Sequence, residues 1–321
     1  MLRRDAIKIA TFSAAALAFD RRGIAVSAEH PIIDAHIHLF DTSRPGGVPW
    51  PPKDDTALYK PALPVRYAAL TAGFGVVGAI AIEASPLPAD NQWLLDVAAR
   101  HSIMVGVIGD LVPGSGGYLD DLDRLHRNPL FLGFRYGNLW GRDLAIDLQK
   151  PGFVEGLKAL AQAGLVFESA NPDPSLIGAI LKVAERVPGL RIVVDHLPHA
   201  PVPEEHSARD EYWTNLRALA QHPGVFVKLS EIPAVANGKL VTDPQFYREP
   251  LDRIWDIFGE DRILFGSDWP NSDHVAPYKE TVAIVRGYIS RKSPAAQEKY
   301  FWKNSIAAYK WHRRRPGQPV I

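Results

Sequence analysis

Residues 31–38 read Pro-Ile-Ile-Asp-Ala-His-Ile-His and place two histidines at the end of a short apolar run. The run predicts a short buried strand, and the histidines lie where that strand emerges. Because side chains alternate along a strand, we expect His36 and His38 to point to the same side. Two neutral imidazoles on one side supply half of a metal site, or two donors for an anionic or carbonyl oxygen. The alternative is a pair of surface histidines in a loop.

The rest of the chain alternates apolar and helical segments. Seven further apolar segments predict strands, at residues 76–83, 103–110, 130–135, 165–168, 191–196, 225–229 and 262–267. Helical patterns occupy residues 65–72, 91–100, 118–126, 153–163, 174–187, 209–221, 244–258 and 278–290. Apolar strands that are separated by helices pair in parallel, so eight such units predict a (β/α)₈ TIM barrel of the α/β class. A doubly wound open sheet is the competing architecture.

The composition restricts the classes of function. With 321 residues, of which 46% are hydrophobic, the chain can bury a large single core. Its 36 basic and 36 acidic residues give no net charge, so we expect neither a nucleic-acid partner nor an anionic membrane surface. The absence of cysteine excludes disulfides, thiolate zinc sites and thiol nucleophiles. Any metal must therefore be bound by nitrogen and oxygen, and both a monomer and a homo-oligomer remain open.

The first residues resemble an export signal of the twin-arginine type. Arg3 and Arg4 precede a small and apolar run at residues 9–19, and residues 26–28, Val-Ser-Ala, offer a cleavage site. We therefore expect residues 1–29 to be a signal segment and residues 30–321 to form a single periplasmic barrel domain without a membrane span. The charged residues 20–22 depart from this pattern. An uncleaved leader on a cytoplasmic protein is the alternative.

Polar side chains stand at the carboxyl ends of the predicted strands, where barrel enzymes place their chemistry. They are His36, His38, Glu83, Asp110, Arg135, Glu168, His196, Lys228, Ser230 and Asp268. Solvation of the barrel rim explains Glu83, Asp110 and Ser230 equally well. His196 and Asp268 each end an apolar run more directly. Three histidines and an aspartate can complete a metal shell of nitrogen and oxygen, or the aspartate can activate water.

Several of these residues lie in motifs that resemble one known family. Residues 33–41, 48–50, 194–197, 227–230 and 265–270 are similar to those of the amidohydrolase-related lactonases. This group includes the lactonases for fuconolactone and rhamnonolactone, 2-pyrone-4,6-dicarboxylate lactonase and sulfomuconolactone hydrolase. The resemblance extends over residues 31–311. It implies a TIM barrel that opens a small-molecule lactone of a sugar acid or a muconate-type acid.

The resemblance also implies roles for single residues. It places His36, His38 and His196 around the substrate carbonyl or a divalent ion, with Asp268 as the base that activates water. Arg135 suits a substrate carboxylate or hydroxyl because its guanidinium is a fork of donors. From the residues themselves, Glu83 is a candidate substrate contact or metal ligand, and Trp50 and Trp269 are candidate walls of the substrate pocket, although core packing explains an aromatic residue equally well.

Two departures from the metal-rich amidohydrolases bear on the cofactor. Arg135 and Glu168 stand where binuclear members have a lysine and a histidine, so we expect at most one ion, zinc or manganese, on His36, His38, His196 and Asp268. A metal-independent mechanism stays open, because lactones are activated esters that an imidazole clamp could polarise. Chelation is then expected to reduce activity only partly or not at all.

Two other functions compete with lactone hydrolysis. A metal-dependent decarboxylase of the same superfamily shares the first-strand histidines and the final Ser-Asp pair, although residues 195–197 and 228–230 favour the lactonase branch. A non-catalytic periplasmic binding protein is the alternative from another class. The predicted base, Asp268, beside three histidines that could polarise a carbonyl group argues against a protein that only binds its ligand. The roles of Glu168, His199 and His274 remain open.

Overall fold

The computed structural model describes residues 30–170 and 172–320, and its centre is an eight-stranded parallel sheet. The strands pair in chain order, each parallel to the next. They are β1 (Ile32–His38), β2 (Val76–Ile82), β3 (Met104–Gly109), β4 (Phe131–Gly137), β5 (Val166–Ala170), β6 (Arg191–Val194), β7 (Val225–Leu229) and β10 (Ile263–Phe265). An isolated parallel bridge between Ile37 and Trp269 joins the first strand to the segment after the last. The predicted (β/α)₈ TIM barrel is confirmed.

Each of the eight predicted helical segments forms a helix. They are α1 (Pro64–Leu70), α2 (Pro88–Arg100), α3 (Tyr118–His126), α5 (Phe153–Gln162), α6 (Pro174–Arg186), α7 (His206–Leu219), α8 (Arg248–Phe258) and α9 (Tyr278–Ile289). Three of these, α1, α2 and α6, begin with proline, which loses no hydrogen bond there because the first helical N–H groups have no partner within the helix. No helix among the described residues is long and apolar enough to cross a membrane. The predicted export signal at residues 1–29 lies outside the described residues.

The remaining elements are short. They are the helices α4 (Leu144–Asp147), α10 (Pro294–Glu298) and α11 (Asn304–Tyr309), a π-helical segment (Lys299–Lys303), two 3₁₀ turns (Leu197–His199 and Asn271–His274) and a hairpin of β8 (Val235–Ala236) and β9 (Lys239–Leu240). The first turn begins three residues after β6 ends at Val194, and the second begins six residues after β10 ends at Phe265. They therefore carry the residues that come after the predicted sixth and eighth strands.

The first strand is longer than predicted. The two histidines lie within β1 and not beyond its end, because Ile37 and His38 still pair with Ala81 and Ile82 of β2. All seven residues of β1 are buried. His36 and His38 are therefore fixed by the barrel wall, and neither is the surface histidine of the alternative interpretation.

Asp34 ties the first strand to the end of the barrel. Its carboxylate is fully buried and accepts hydrogen bonds from the backbone N–H of Ser267 (2.8 Å) and from the hydroxyls of Tyr67 (2.8 Å) and Tyr278 (3.3 Å). Burial raises the pKa of Asp34, and these bonds oppose that shift. The segment that carries Asp268 is thus anchored to β1 by a side chain as well as by the main chain.

The carboxyl-terminal segment reaches the inside of the barrel. Trp302, Tyr309 and Trp311 pack with strand residues such as Ile80 in the smaller of two apolar clusters. The hydroxyl of Tyr309 donates to Glu168 of β5 over 2.5 Å. The end of the chain therefore contributes to the layer directly beneath the site.

Candidate active site

The four predicted catalytic residues meet in the mouth of the barrel. Asp268 Oδ1 lies 3.2 Å from His38 Nε2, 3.3 Å from His36 Nε2 and 3.9 Å from His196 Nε2. All four side chains are buried. His196 and Asp268 each have a positive φ, of 46° and 60°, directly after their strands. Non-glycine residues adopt this conformation rarely, and such strain is often concentrated at functional sites.

Neighbouring groups fix the histidine rings. Nδ1 of His38 lies 3.2 Å and 3.1 Å from the carbonyl oxygens of Ile82 and Glu83, so this nitrogen carries the proton and donates. Nε2 of His38 is then an acceptor that faces the cluster. Nδ1 of His196 lies 2.8 Å from the hydroxyl of Ser230.

The three imidazoles are neutral near pH 7. Burial, reinforced by the charge of Arg135, lowers the pKa of His38 to about 4. Burial likewise holds the pKa of His36 and that of His196 well below the usual range. Neutral imidazole is the form that ligates metal ions.

Asp268 has the properties of a general base. Burial raises its pKa to about 6, so the carboxylate is still ionised at neutral pH. Asn271 donates to Oδ2 over 2.7 Å and also to Glu231 over 3.0 Å. Within the described part of the chain, the buried Oδ1 has no hydrogen-bond partner. This oxygen is therefore available to water or to a cation.

The cluster forms the floor of a cavity of about 240 Å³. Its polar wall consists of His38, Arg135, His196, Glu231, Asp268 and Asn271, and its apolar wall of Trp50, Ala84, Leu139 and Trp140. The Trp50 ring stands edge-on to His38, with ring centroids 5.6 Å apart. His36 is fully buried beneath this surface. A cavity with one polar and one apolar wall suits a small ring with a polar edge.

Glu83 holds two residues of the cavity wall. Its carboxylate accepts from Arg135 Nε (2.8 Å), Trp140 Nε1 (3.1 Å) and the backbone N–H of Ser85 (3.0 Å). Trp140 has a φ of 59°, in the left-handed region that bulky residues avoid. Glu83 thus positions Arg135 and Trp140 from behind, while these two side chains line the cavity.

A layer of buried charge lies below the histidines. Lys228 Nζ contacts Glu168 Oε1 (2.6 Å), Asp195 Oδ1 (3.0 Å) and His36 Nδ1 (3.0 Å), and none of these side chains is exposed. Burial, together with the charge of Asp195, raises the pKa of Glu168, and the charge of Lys228 opposes that shift. In the sequence, Lys228 was identified as a polar strand end and as part of the motif at residues 227–230, without a partner. A lysine within an otherwise apolar, buried strand indicates a buried ion pair, and this pattern could have predicted its contact with a carboxylate.

Three residues predicted near the site lie outside this cavity. Trp269 is fully buried and packs on Tyr67, with ring centroids 5.3 Å apart. His199 and His274 line a neighbouring cavity of about 100 Å³. His274 pairs there with Asp55 over 2.8 Å.

Sequence reasoning missed five residues of the cavity wall, namely Ala84, Leu139, Trp140, Glu231 and Asn271. Glu231 directly follows Ser230 at the end of β7, so its position could have identified it. Trp140 and Asn271 lie in loop and turn segments without periodic signal, and only the folded structure places them.

The cluster fits one divalent ion. Asp268 Oδ1 is a buried oxygen without a hydrogen bond, and three imidazole Nε2 atoms lie within 3.9 Å of it. Histidine nitrogen and carboxylate oxygen are the ligands that zinc accepts where cysteine is absent. His36, His38 and Asp268 each place one ligand atom within 4.8 Å of the others and are therefore the residues that could hold the ion, with His196 Nε2 lying 3.9 Å from Asp268 Oδ1.

Comparisons with known proteins identify the family of this chain. The sequence model of the amidohydrolase family matches residues 33–311. The chain is 33% identical to L-fucono-1,5-lactonase of Burkholderia ambifaria over 290 residues, which cover 88% of this chain and 96% of that protein.

Two solved structures share the fold. One is an amidohydrolase from Burkholderia multivorans with bound zinc (TM-score 0.75, 23% identity), which covers 88% of this chain and 100% of its own. The other is a probable 2-pyrone-4,6-dicarboxylic acid hydrolase from Acinetobacter baumannii with citric acid bound (TM-score 0.68, 16% identity, 87% and 99% coverage). The resemblance that the sequence motifs indicated is confirmed. The chain belongs to the amidohydrolase family.

Proposed function

We propose that this protein is a hydrolase that opens the lactone ring of a sugar acid by adding water to the ring carbonyl. The observation that carries the proposal is the ionised, unpaired Oδ1 of Asp268 on the floor of a small cavity, beside three neutral imidazoles. The 33% identical relative, which is named L-fucono-1,5-lactonase, supports the same reaction class.

The chemistry assigned to Asp268 is general base and then general acid catalysis. Its carboxylate accepts a proton from water while the water oxygen attacks the lactone carbonyl. The same group then returns the proton to the ring oxygen as the ester C–O bond breaks, and a hydroxy acid is released. Arg135 faces the cavity and can donate to the substrate as charge develops on its carbonyl oxygen.

A single zinc or manganese ion on His36, His38, His196 and Asp268 would supply Lewis-acid polarisation of the carbonyl when bound. The orientation of His38 supports this part of the proposal. Its Nε2 is an acceptor, so a neutral His38 has no proton to donate to a carbonyl oxygen. Substrate orientation then rests on Arg135, Trp50 and Trp140 in the cavity wall.

The charges in the cavity favour an uncharged sugar lactone over a muconate-type or dicarboxylate lactone. Among the described residues that line it, Arg135 is the one cationic side chain, and Glu83 already neutralises it at 2.8 Å. Asp268 and Glu231 add carboxylates to the same wall. An additional substrate carboxylate would therefore meet no uncompensated positive charge.

A panel of lactones tests the proposal. Uncharged sugar lactones, lactones with a second carboxylate and aromatic acids are incubated at neutral pH, and released acid and carbon dioxide are both measured. We expect acid release from uncharged sugar lactones, with loss of that release in Asp268→Asn. The exposed Asp120→Asn variant is the matched control, because it makes the same chemical change on the surface of α3, outside the residues that line the cavity. Release of carbon dioxide without lactone turnover would instead indicate the decarboxylase alternative.

A further inference from the structure

Lys228 is surrounded by atoms of the kinds that bind metal ions. Its Nζ contacts two carboxylate oxygens, Glu168 Oε1 at 2.6 Å and Asp195 Oδ1 at 3.0 Å, and one imidazole nitrogen, His36 Nδ1 at 3.0 Å. The lysine side chain is fully buried. The ammonium therefore stands in a closed shell of two oxygens and one nitrogen.

We propose that Lys228 is a built-in cation of the active site, which fills the place of a second metal ion and weakens the binding of the first. Two buried carboxylates need a compensating positive charge, because an unpaired charge is costly in the barrel interior. Lys228 supplies that charge to Glu168 and Asp195 without a metal. This inference rests on the metal site of the proposed function, but it does not depend on which substrate the protein hydrolyses.

The effect on the first ion follows from the direction of the hydrogen bonds. An ammonium group can only donate, so Nδ1 of His36 accepts from Lys228, and the proton of the neutral ring lies on Nε2. Nε2 of His36 is 3.2 Å from Nε2 of His38, which is an acceptor because Nδ1 of His38 donates to backbone carbonyls. The donors therefore run from Lys228 to His36, whose Nε2–H faces His38 Nε2 at 3.2 Å and Asp268 Oδ1 at 3.3 Å.

This arrangement of donors competes with a divalent ion. A metal-bound histidine normally donates its other ring N–H to a carboxylate or a carbonyl oxygen, and His38 meets that condition. His36 differs, because its Nδ1 lies nearest to the Lys228 ammonium, at 3.0 Å, and only then to the Asp195 carboxylate, at 3.5 Å. An ion must therefore displace the His36 proton before it can use this ring, and Lys228 opposes that exchange.

Metal binding by a lysine variant tests the proposal directly. Lys228→Met keeps most of the side-chain volume and removes the donor, whereas Lys228→Arg keeps a donating cation. Zinc binding to the chelator-treated full-length proteins is measured by titration calorimetry. We expect Lys228→Met to bind zinc about 10- to 100-fold more tightly or to take up one more equivalent, because removing a partner that opposes the ion should reverse the loss of about 10- to 100-fold that is caused by removing one that supports it. Lys228→Arg should match the unaltered protein.

Equal zinc affinity and stoichiometry in a folded Lys228→Met variant would overturn the proposal. Because the readout is zinc binding, absence of lactone turnover would count against the proposed function and leave this result unaffected. If Lys228→Met does not fold, nitrogen-15 spectra of the metal-free unaltered protein decide the question, with the His36 signals assigned through His36→Gln. An unprotonated Nδ1 and a protonated Nε2 on His36 support the proposal, and the reverse tautomer refutes it.

Discussion

The backbone N–H of Asp268 donates to the carbonyl oxygen of His36 over 2.9 Å. A second bond joins the same two segments, because the N–H of His38 donates to the carbonyl oxygen of Trp269 over 2.7 Å. The main chains that carry the base and the first two imidazoles are therefore held in register by the bonds that close the barrel. The distances among these side chains follow from the barrel wall and not from a mobile loop.

Asp268→Asn should preserve the fold and lower kcat for lactone hydrolysis about 10²- to 10⁴-fold, the usual contribution of a general base. The amide keeps the shape of the side chain but cannot accept the proton of water. Steady-state kinetics measure the loss, and circular dichroism verifies the fold. Asp120→Asn should retain full activity. A loss of less than about tenfold would count against the assignment.

The pH profile of kcat/KM should rise from acid towards neutral pH, with its half-maximal value near pH 6. Burial raises the pKa of Asp268 to about 6, and the ionised form is the base, so activity is lost as the pH falls through that value. The pKa of His38 is about 4, so this ring stays neutral over the same range. Initial rates in buffers of constant ionic strength test the profile. A flat profile through pH 6 would contradict it.

Purified protein should contain no more than one equivalent of tightly bound zinc or manganese. Lys228 occupies the space beside Glu168 and Asp195, where a second ion would need its ligands. Elemental analysis gives the metal content, and dialysis against a chelator should reduce activity only partly or not at all. Two equivalents, with complete and reversible loss of activity on chelation, would refute this expectation.

Asp34→Ala should lower the free energy of unfolding by about 2 to 4 kcal/mol, because it leaves buried donors of Tyr67 and Ser267 without an acceptor. Urea denaturation followed by tryptophan fluorescence measures the change. Asp120→Ala, on the exposed face of α3, should change stability by less than about 0.5 kcal/mol. Equal stabilities of the two variants would show that Asp34 does not anchor the barrel.

We propose that residues 1–29 direct the protein to the periplasm through twin-arginine export. Replacement of Arg3 and Arg4 by lysine should then prevent the appearance of a shortened form that begins near Glu29. Cell fractionation and amino-terminal sequencing provide the measurement. Unchanged delivery of the double-lysine variant to the periplasm would exclude this route.

The hydrophobic pattern was sufficient to predict the eight strands and eight main helices. A strand that is buried on both faces is a short continuous apolar run, and a helix that packs on the sheet has apolar residues at helical spacing. The same pattern located His36, His38 and Asp268. It could not locate Asn271 or Trp140, whose positions depend on left-handed turns and on contacts between distant segments. Nor could it pair Lys228 with Glu168 and Asp195, since that contact requires the register of three strands. Trp269 shows the converse, because this aromatic residue lies within the motif at residues 265–270 and yet packs into the core.

The backbone hydrogen bond between Asp268 and His36 joins the first strand to the segment after the last. The active site is therefore complete only when the two ends of the barrel have paired. A nascent chain should therefore have no hydrolase activity until the eighth strand has left the ribosome and packed against the first. During refolding, recovery of turnover should lag behind recovery of helical signal, because helices form locally whereas the catalytic group needs both ends of the barrel. Enzymatic turnover can therefore be used to measure closure of the barrel.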